Sequence, residues 1–329
     1  MDTSNTATIY PWQQPQWQQL NKAIEDNRLP HALLLSGQRG NGKNDFALML
    51  SKRLLCQSPQ NEMPCDQCQS CRLFNASTHP DFQLITPEEE GKAIKVDQIR
   101  EMVDKNTLTS NMSGMKIHLI LNAGQMNISA SNSVLKTLEE PSPESLIILV
   151  TSSPEKLTAT IKSRCQNIHL PVPDNQAARD WLSAQQIHSD PDLLLSLSLS
   201  APLDALKLDD EELLTHRKNF FNDLGFVVFS KKDPVNVASI WQDNSPSQLI
   251  GWMTGWVVDM IRLKFSQSNN YIANNDLLKG LQKISEAFSI NQLLEIYSKL
   301  LESKRLLDTQ ANRLLLLEGL LLRWTRANQ

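Results

Sequence analysis

Short unbroken apolar runs punctuate the first half of the chain, and long helical patterns fill the second. Residues 31–35 (HALLL), 82–85 (FQLI), 117–121 (IHLIL) and 146–150 (LIILV) read as buried strands, with a last short one at 167–170. Between them, 44–55 places Phe46, Ala47, Leu50 and Leu54 at helical spacing, and 97–106 puts Ile99, Met102 and Val103 on one face. A third helix, 129–140, is stopped by Pro141. Strands alternating with helices predict an α/β unit, a parallel sheet with helices on both faces. Pro171-Val172-Pro173 reads as a linker, and 174–207 suits a small bundle of short helices. From about 209 onward the patterns at 249–265 and 293–324 carry too much apolar surface for solvated helices, so they predict a packed helical domain. The expected division is therefore 1–170, a small helical lid at 171–208, and a helical domain at 209–329.

Composition narrows the class. A chain of 329 residues exceeds one ordinary core, and 40% hydrophobic with 21% charged residues is a globular balance. A net charge of −4 argues against a surface that coats nucleic acid as a whole, though a local basic patch is compatible with it. The longest apolar run, 314–322, is interrupted by Glu318 and Gly319, so no membrane span is expected. The opening MDTSNTATIYPWQQP lacks a basic stretch followed by an apolar one, which makes the cytoplasm the expected compartment.

Cysteine usage points the same way. Cys56, Cys65, Cys68 and Cys71 lie within 16 residues, while Cys165 stands alone. Four thiolates at that spacing can surround one ion. A closed four-sulfur shell suits a structural Zn²⁺; iron–sulfur ligation is chemically possible, but nothing else in the chain suggests electron transfer. The cluster, at about 56–71, hangs between the 44–55 helix and the 82–85 strand as an insertion would.

The strand at 31–35 runs into Gly37-Gln38-Arg39-Gly40-Asn41-Gly42-Lys43-Asn44. This fits the phosphate-loop pattern G-x-x-x-x-G-K-[ST] except at its last position. The glycines let backbone N–H groups wrap a phosphate and Lys43 would reach its outer oxygens, but Asn44 replaces the hydroxyl that ligates Mg²⁺. A working hydrolase also needs acidic residues where a neighbouring strand ends. The strand at 117–121 ends instead in Leu121 and Asn122. Mg²⁺ is left without protein ligands, and ATP with Mg²⁺ is not expected to bind productively. Two readings of Lys43 stand: it meets a phosphate, or the loop is kept for the fold.

The run Asn132-Ser133-Val134-Leu135-Lys136-Thr137-Leu138-Glu139-Glu140-Pro141, followed by Ser163-Arg164-Cys165, strongly resembles bacterial clamp-loader ATPase subunits of the AAA+ class. The order of phosphate loop, cysteine module, His79-Pro80-Asp81, Ile94-Lys95-Val96-Asp97-Gln98-Ile99-Arg100 and Ser-Arg-Cys matches that family over roughly residues 9–170. Tyr10-Pro11-Trp12 and the defective loop are similar to the member that is not a motor. The resemblance implies an AAA+ α/β domain, a helical lid and a helical collar. It implies a five-subunit ring with motor (gamma/tau) and delta subunits that uses ATP to place a sliding clamp on primer-template DNA, at the bacterial nucleoid and replisome. It makes Arg164 an arginine finger reaching a neighbour's nucleotide, a role that suits a permanently charged, bidentate guanidinium. In motor subunits the lid carries a phosphate-sensing arginine; the matching stretch here, 200–206, has Leu203 at that place. Loop hydroxyl, acidic pair and sensor arginine are thus all missing. Residues 312–318 also resemble the last collar helix, and Trp241, Trp252, Trp256 and Trp324 are expected as core or interface anchors.

Two rival functions are compatible with parts of the chain. One is an ATP-hydrolysing motor subunit, which Leu121 and Asn122 oppose. The other is a zinc-dependent DNA-binding module, for which the surroundings of the cysteines (Asp66, Gln67, Gln69, Ser70, Arg72) are not basic enough.

Overall fold

Each of the four apolar runs, and the short segment after them, becomes a strand. The computed structural model describes residues 8–89, 91–106, 110, 112, 114–265, 272–307 and 312–325, the side chains of 105 and 106 excepted. Among them β1 (Ala32–Ser36), β2 (Phe82–Ile85), β3 (Lys116–Ile120), β4 (Ser145–Thr151) and β5 (Gln166–His169) form one sheet, ordered β2-β3-β4-β1-β5. Every pairing is parallel. Strand bounds fall within one residue of those expected from the sequence. Leu121 drops out of β3 because Asn122 turns left-handed (φ 54°, ψ 41°), yet its side chain stays in the core.

Parallel connections require crossovers, and the helices of those crossovers cover both faces. Leu33, Leu35, Ile117 and Ile148 pack against α1 (Gln14–Glu25), α2 (Lys43–Leu55) and α3 (Gln69–Asn75) through Trp17, Leu20, Phe46, Leu50 and Phe74. Their strand neighbours Ala32, Leu34, Ile147 and Leu149 face the other way. They meet Ile99, Met102, Val134, Leu138 and Ile161 on α4 (Val96–Asn106), α5 (Ile128–Glu139) and α6 (Ala159–Arg164). This period-2 split is why buried strands read as solid apolar runs. Helices α1 and α3 were not expected. The first hides in a glutamine-rich stretch whose inward positions are Trp17, Leu20 and the polar Asn21. The second, only seven residues long, is held inside the cysteine segment.

By its contacts the chain divides into two units, Met1–Ala177 and Ala178–Gln329. The second contains two cores. The smaller gathers Ala178, Leu182, Leu194, Leu195 and Ala205 from α7 (Asn175–Ser183), α8 (Pro191–Leu197) and α9 (Pro202–Leu208). The larger belongs to α10 (Glu211–Val228), α11 (Pro234–Trp241), α12 (Pro246–Phe265), α13 (Leu278–Glu286), α14 (Ile290–Leu306) and α15 (Arg313–Trp324). Trp241, Trp256 and Trp324 are fully buried there, and Trp252 packs on the edge of that core. Within the pattern at 293–324 lie α14 and α15, and residues 308–311 are outside the described residues. Asn312 caps the second by accepting from Leu314 and Leu315 N–H.

One polar cluster sits inside this apolar domain. Arg217 donates to both carboxylate oxygens of Asp276 (2.9 and 3.1 Å) and to Asn274 Oδ1 (2.7 Å). Asn274 in turn donates twice to the buried Asp259 carboxylate, at 2.8 Å from backbone and side chain. A buried charge at this position needs partners, which Asp276 and Asn274 give to the two terminal nitrogens of Arg217, and the cluster ties α10, α12 and the segment before α13 together. Among the described residues no helix is long and apolar enough to cross a membrane.

Candidate functional site

The glycine loop links β1 to α2, as the phosphate-loop pattern requires. Gly42 caps α2 at φ 83°, and a Cβ there would collide with the Tyr10 ring, so only glycine fits. Tyr10 stacks on Trp12 with centroids 5.0 Å apart and planes within 5°. Its hydroxyl donates to Asp45 Oδ2 at 3.0 Å; burial, then Asp45, push the phenol above its usual range.

Asn41, which no sequence motif singles out, is the hub of the loop. Its carbonyl accepts from Trp12 Nε1 (2.9 Å) and Gln13 Nε2 (2.8 Å), and its amide donates to Leu170 O (2.8 Å) just beyond β5. Lys43 lies buried against the same loop, its ammonium donating to Gln38 O at 2.6 Å and to Asn41 Oδ1 at 3.4 Å. The charge meant for a phosphate is thus satisfied by oxygens of the loop itself. Asn44, in place of the hydroxyl residue, is exposed.

Because the strands are parallel, the ends of β1 and β3 share one edge of the sheet, with β4 between them. Leu121 is buried there among apolar neighbours, and Asn122 is exposed on a left-handed turn. Neither carries a charge. Leu203 is half-buried on α9, within the second unit.

Arg164 is the last residue of α6. One guanidinium nitrogen donates to Thr160 O at 3.0 Å, and the other pairs with Glu139 Oε1 at 2.7 Å. Its side chain is 35% exposed, enough for the fork to be reached from outside. Cys165 points into the core, where burial pushes its thiol up to about 11. Ser163 is exposed, and its hydroxyl donates to Thr160 O of the same helix at 3.1 Å.

The four remaining cysteines converge. Sγ atoms of Cys56, Cys65, Cys68 and Cys71 all lie within 4.8 Å of one another, with Cys56–Cys65 at 3.5 Å and Cys56–Cys68 at 4.0 Å. Ligands 2.3 Å from a tetrahedral zinc stand about 3.8 Å apart, so the shell already has the right size. Backbone N–H groups of Cys65, Cys68 and Cys71 donate in turn to the sulfurs of Cys56, Cys65 and Cys68 (3.3–3.4 Å). N–H donors from Gln67 and Cys68 push the Cys65 thiol down to about 6, whereas burial pushes Cys56 and Cys71 up. Four adjacent thiolates need a cation to coexist, and a divalent soft ion fits this donor set. Lys52 of α2 pairs with Asp66, bracing the outer turn of the cluster.

Residues 12–174 match the family described as DNA polymerase III, delta subunit, and residues 211–326 match its C-terminal counterpart. DNA polymerase III subunit delta' of Pseudomonas aeruginosa is 33% identical over 97% of this chain and 98% of its own length. The chain belongs to the delta' family of DNA polymerase III. The Escherichia coli delta' subunit is 32% identical over 95% of this chain and 94% of its own. Among solved structures, a gamma-subunit-related protein from Thermotoga maritima superposes with a TM-score of 0.51 at 20% identity, covering 95% of this chain and all of that one. That likeness shows a shared fold.

Proposed function

We propose that this chain is the non-hydrolysing member of a DNA polymerase III clamp loader and serves its ATPase neighbour through Arg164. The observation that carries the reading is a contrast within one unit. The loop lysine is turned onto Gln38 and Asn41 and no carboxylate stands at Leu121 or Asn122, while a guanidinium is displayed at the end of α6. A site without Mg²⁺ ligands is unsuited to phosphoryl transfer, and a finger needs none.

In this reading 1–170 is the AAA+ domain, 171–208 the lid and 209–329 the collar, assembled in a five-membered ring with motor (gamma/tau) and delta subunits. The four cysteines hold a structural Zn²⁺. The ring as a whole engages the sliding clamp and primer-template DNA in the cytoplasm. Lys43 favours a second reading, an active motor subunit, because a motor needs that lysine; the missing carboxylates weigh against it.

Reconstitution discriminates the two. A complex lacking this chain should load no clamp onto primed DNA, and adding back the Lys43→Ala chain should restore loading fully. Loss of loading with Lys43→Ala in an assembled complex would sink the non-hydrolysing reading.

A further inference from the structure

His79 and Asp81 play no part in the function proposed above, yet both are buried, at 5% and 3% exposure. The Asp81 N–H donates to His79 Nδ1 at 3.1 Å. That nitrogen is therefore unprotonated, and the neutral ring carries its hydrogen on Nε2. Nε2 lies 2.8 Å from Ser70 Oγ, and the Ser70 hydroxyl donates to Leu55 O at 2.6 Å. A carbonyl only accepts, so the direction of every bond in the relay is fixed: Asp81 to His79 to Ser70 to Leu55. The far end is anchored as well. Asp81 accepts from Met112 N–H through its carboxylate (2.8 Å) and from Ile117 N–H of β3 through its carbonyl (2.9 Å).

The near end falls on the cysteines. Leu55 immediately precedes Cys56, and Ser70 immediately precedes Cys71. One buried hydroxyl therefore staples the backbone beside the first cysteine to the backbone beside the last, the two that are buried. We propose that Ser70 and His79 are positioning residues for the metal centre. They hold Cys56 and Cys71 at ligand spacing ahead of the ion and slow its loss; this rests on the zinc reading of the four cysteines. The physical basis is preorganisation: closing the intervening segment is done by the relay, so the ion does not have to do it.

The full-length chain tests this directly. Zinc is counted per chain by mass spectrometry, and its release into excess chelator is timed for wild type, Ser70→Ala and Ser51→Ala. Ser51 is an equally buried serine of α2 whose hydroxyl bonds only its own helix, to Ala47 O at 2.8 Å, so it controls for loss of any buried hydroxyl. The expected result is one zinc in the wild type, release about tenfold or more faster in Ser70→Ala, and the wild-type rate in Ser51→Ala. Should Ser70→Ala not fold, His79→Phe decides, since it removes the donor to Ser70 and should also speed release. A zinc-loaded wild type whose Ser70→Ala or His79→Phe variant releases at the control rate overturns the relay alone. A wild type without zinc overturns the metal reading, and the relay with it.

Discussion

Arg164 and Glu139 form an ion pair between the end of α6 and the end of α5, Nη2 to Oε1 at 2.7 Å. Thr160 O holds a second nitrogen of the same guanidinium. With its carboxylate 51% exposed, a pair of this kind contributes about 0–1 kcal/mol. A phosphoryl group in its transition state would offer far more, so the pair would not hold Arg164 back from the finger role proposed for it.

Glu139→Gln should therefore leave the complex assembled and its stimulated ATPase unchanged or raised by up to about fivefold, the factor that about 1 kcal/mol allows. Steady-state hydrolysis by the reconstituted complex checks it. A tenfold loss would mean that Glu139 positions Arg164 instead of competing for it.

Titration of the isolated chain with Mg²⁺-ATP should show no saturable binding below about 1 mM, the range of many working sites. Lys43 already has oxygen partners in its own loop, and Asn44 provides no metal ligand of the expected kind. Micromolar binding that disappears in Lys43→Ala would contradict this.

Asn41→Ala should destabilise the first unit by about 1–3 kcal/mol, because Leu170 O and the Lys43 ammonium both lose a partner. Urea-dependent hydrogen exchange of the β1 and β4 amides reads this unit. Unchanged exchange would show that the loop does not depend on its hub.

In the second unit, Arg217→Met should cost about 3–5 kcal/mol, since it leaves the Asp276 carboxylate and Asn274 without their cation. Thermal unfolding of the full chain, with the first unit's transition as internal reference, measures it. A loss under about 1 kcal/mol would place the cluster among pairs that are neutral to stability.

Strand β4 was legible because it is buried on both faces and leaves no room for alternating polar positions; it is apolar at Leu146, Ile147, Ile148, Leu149 and Val150. Helix α1 was not, since glutamines outnumber its apolar contacts and only Trp17 and Leu20 mark the inner face clearly. The cysteine cluster could be read from spacing alone because local chain length limits how far four sulfurs can separate. Asn41 could not: its meaning lies in Trp12, Gln13 and Leu170, brought to it only by the folded sheet. The same holds for Glu139, whose partner arginine sits on another helix. The relay through His79 was present in the sequence as a motif, but its destination at Ser70 depends on how α3 packs.

The most direct measurement of the central claim is clamp- and DNA-stimulated ATP hydrolysis by the reconstituted complex carrying Arg164→Ala, with assembly verified by native mass. The prediction is an intact ring whose adjoining site slows about 10³-fold or more, with Arg164→Lys failing to restore it because an ammonium lacks the bidentate fork. An assembled ring hydrolysing ATP at the wild-type rate would contradict it.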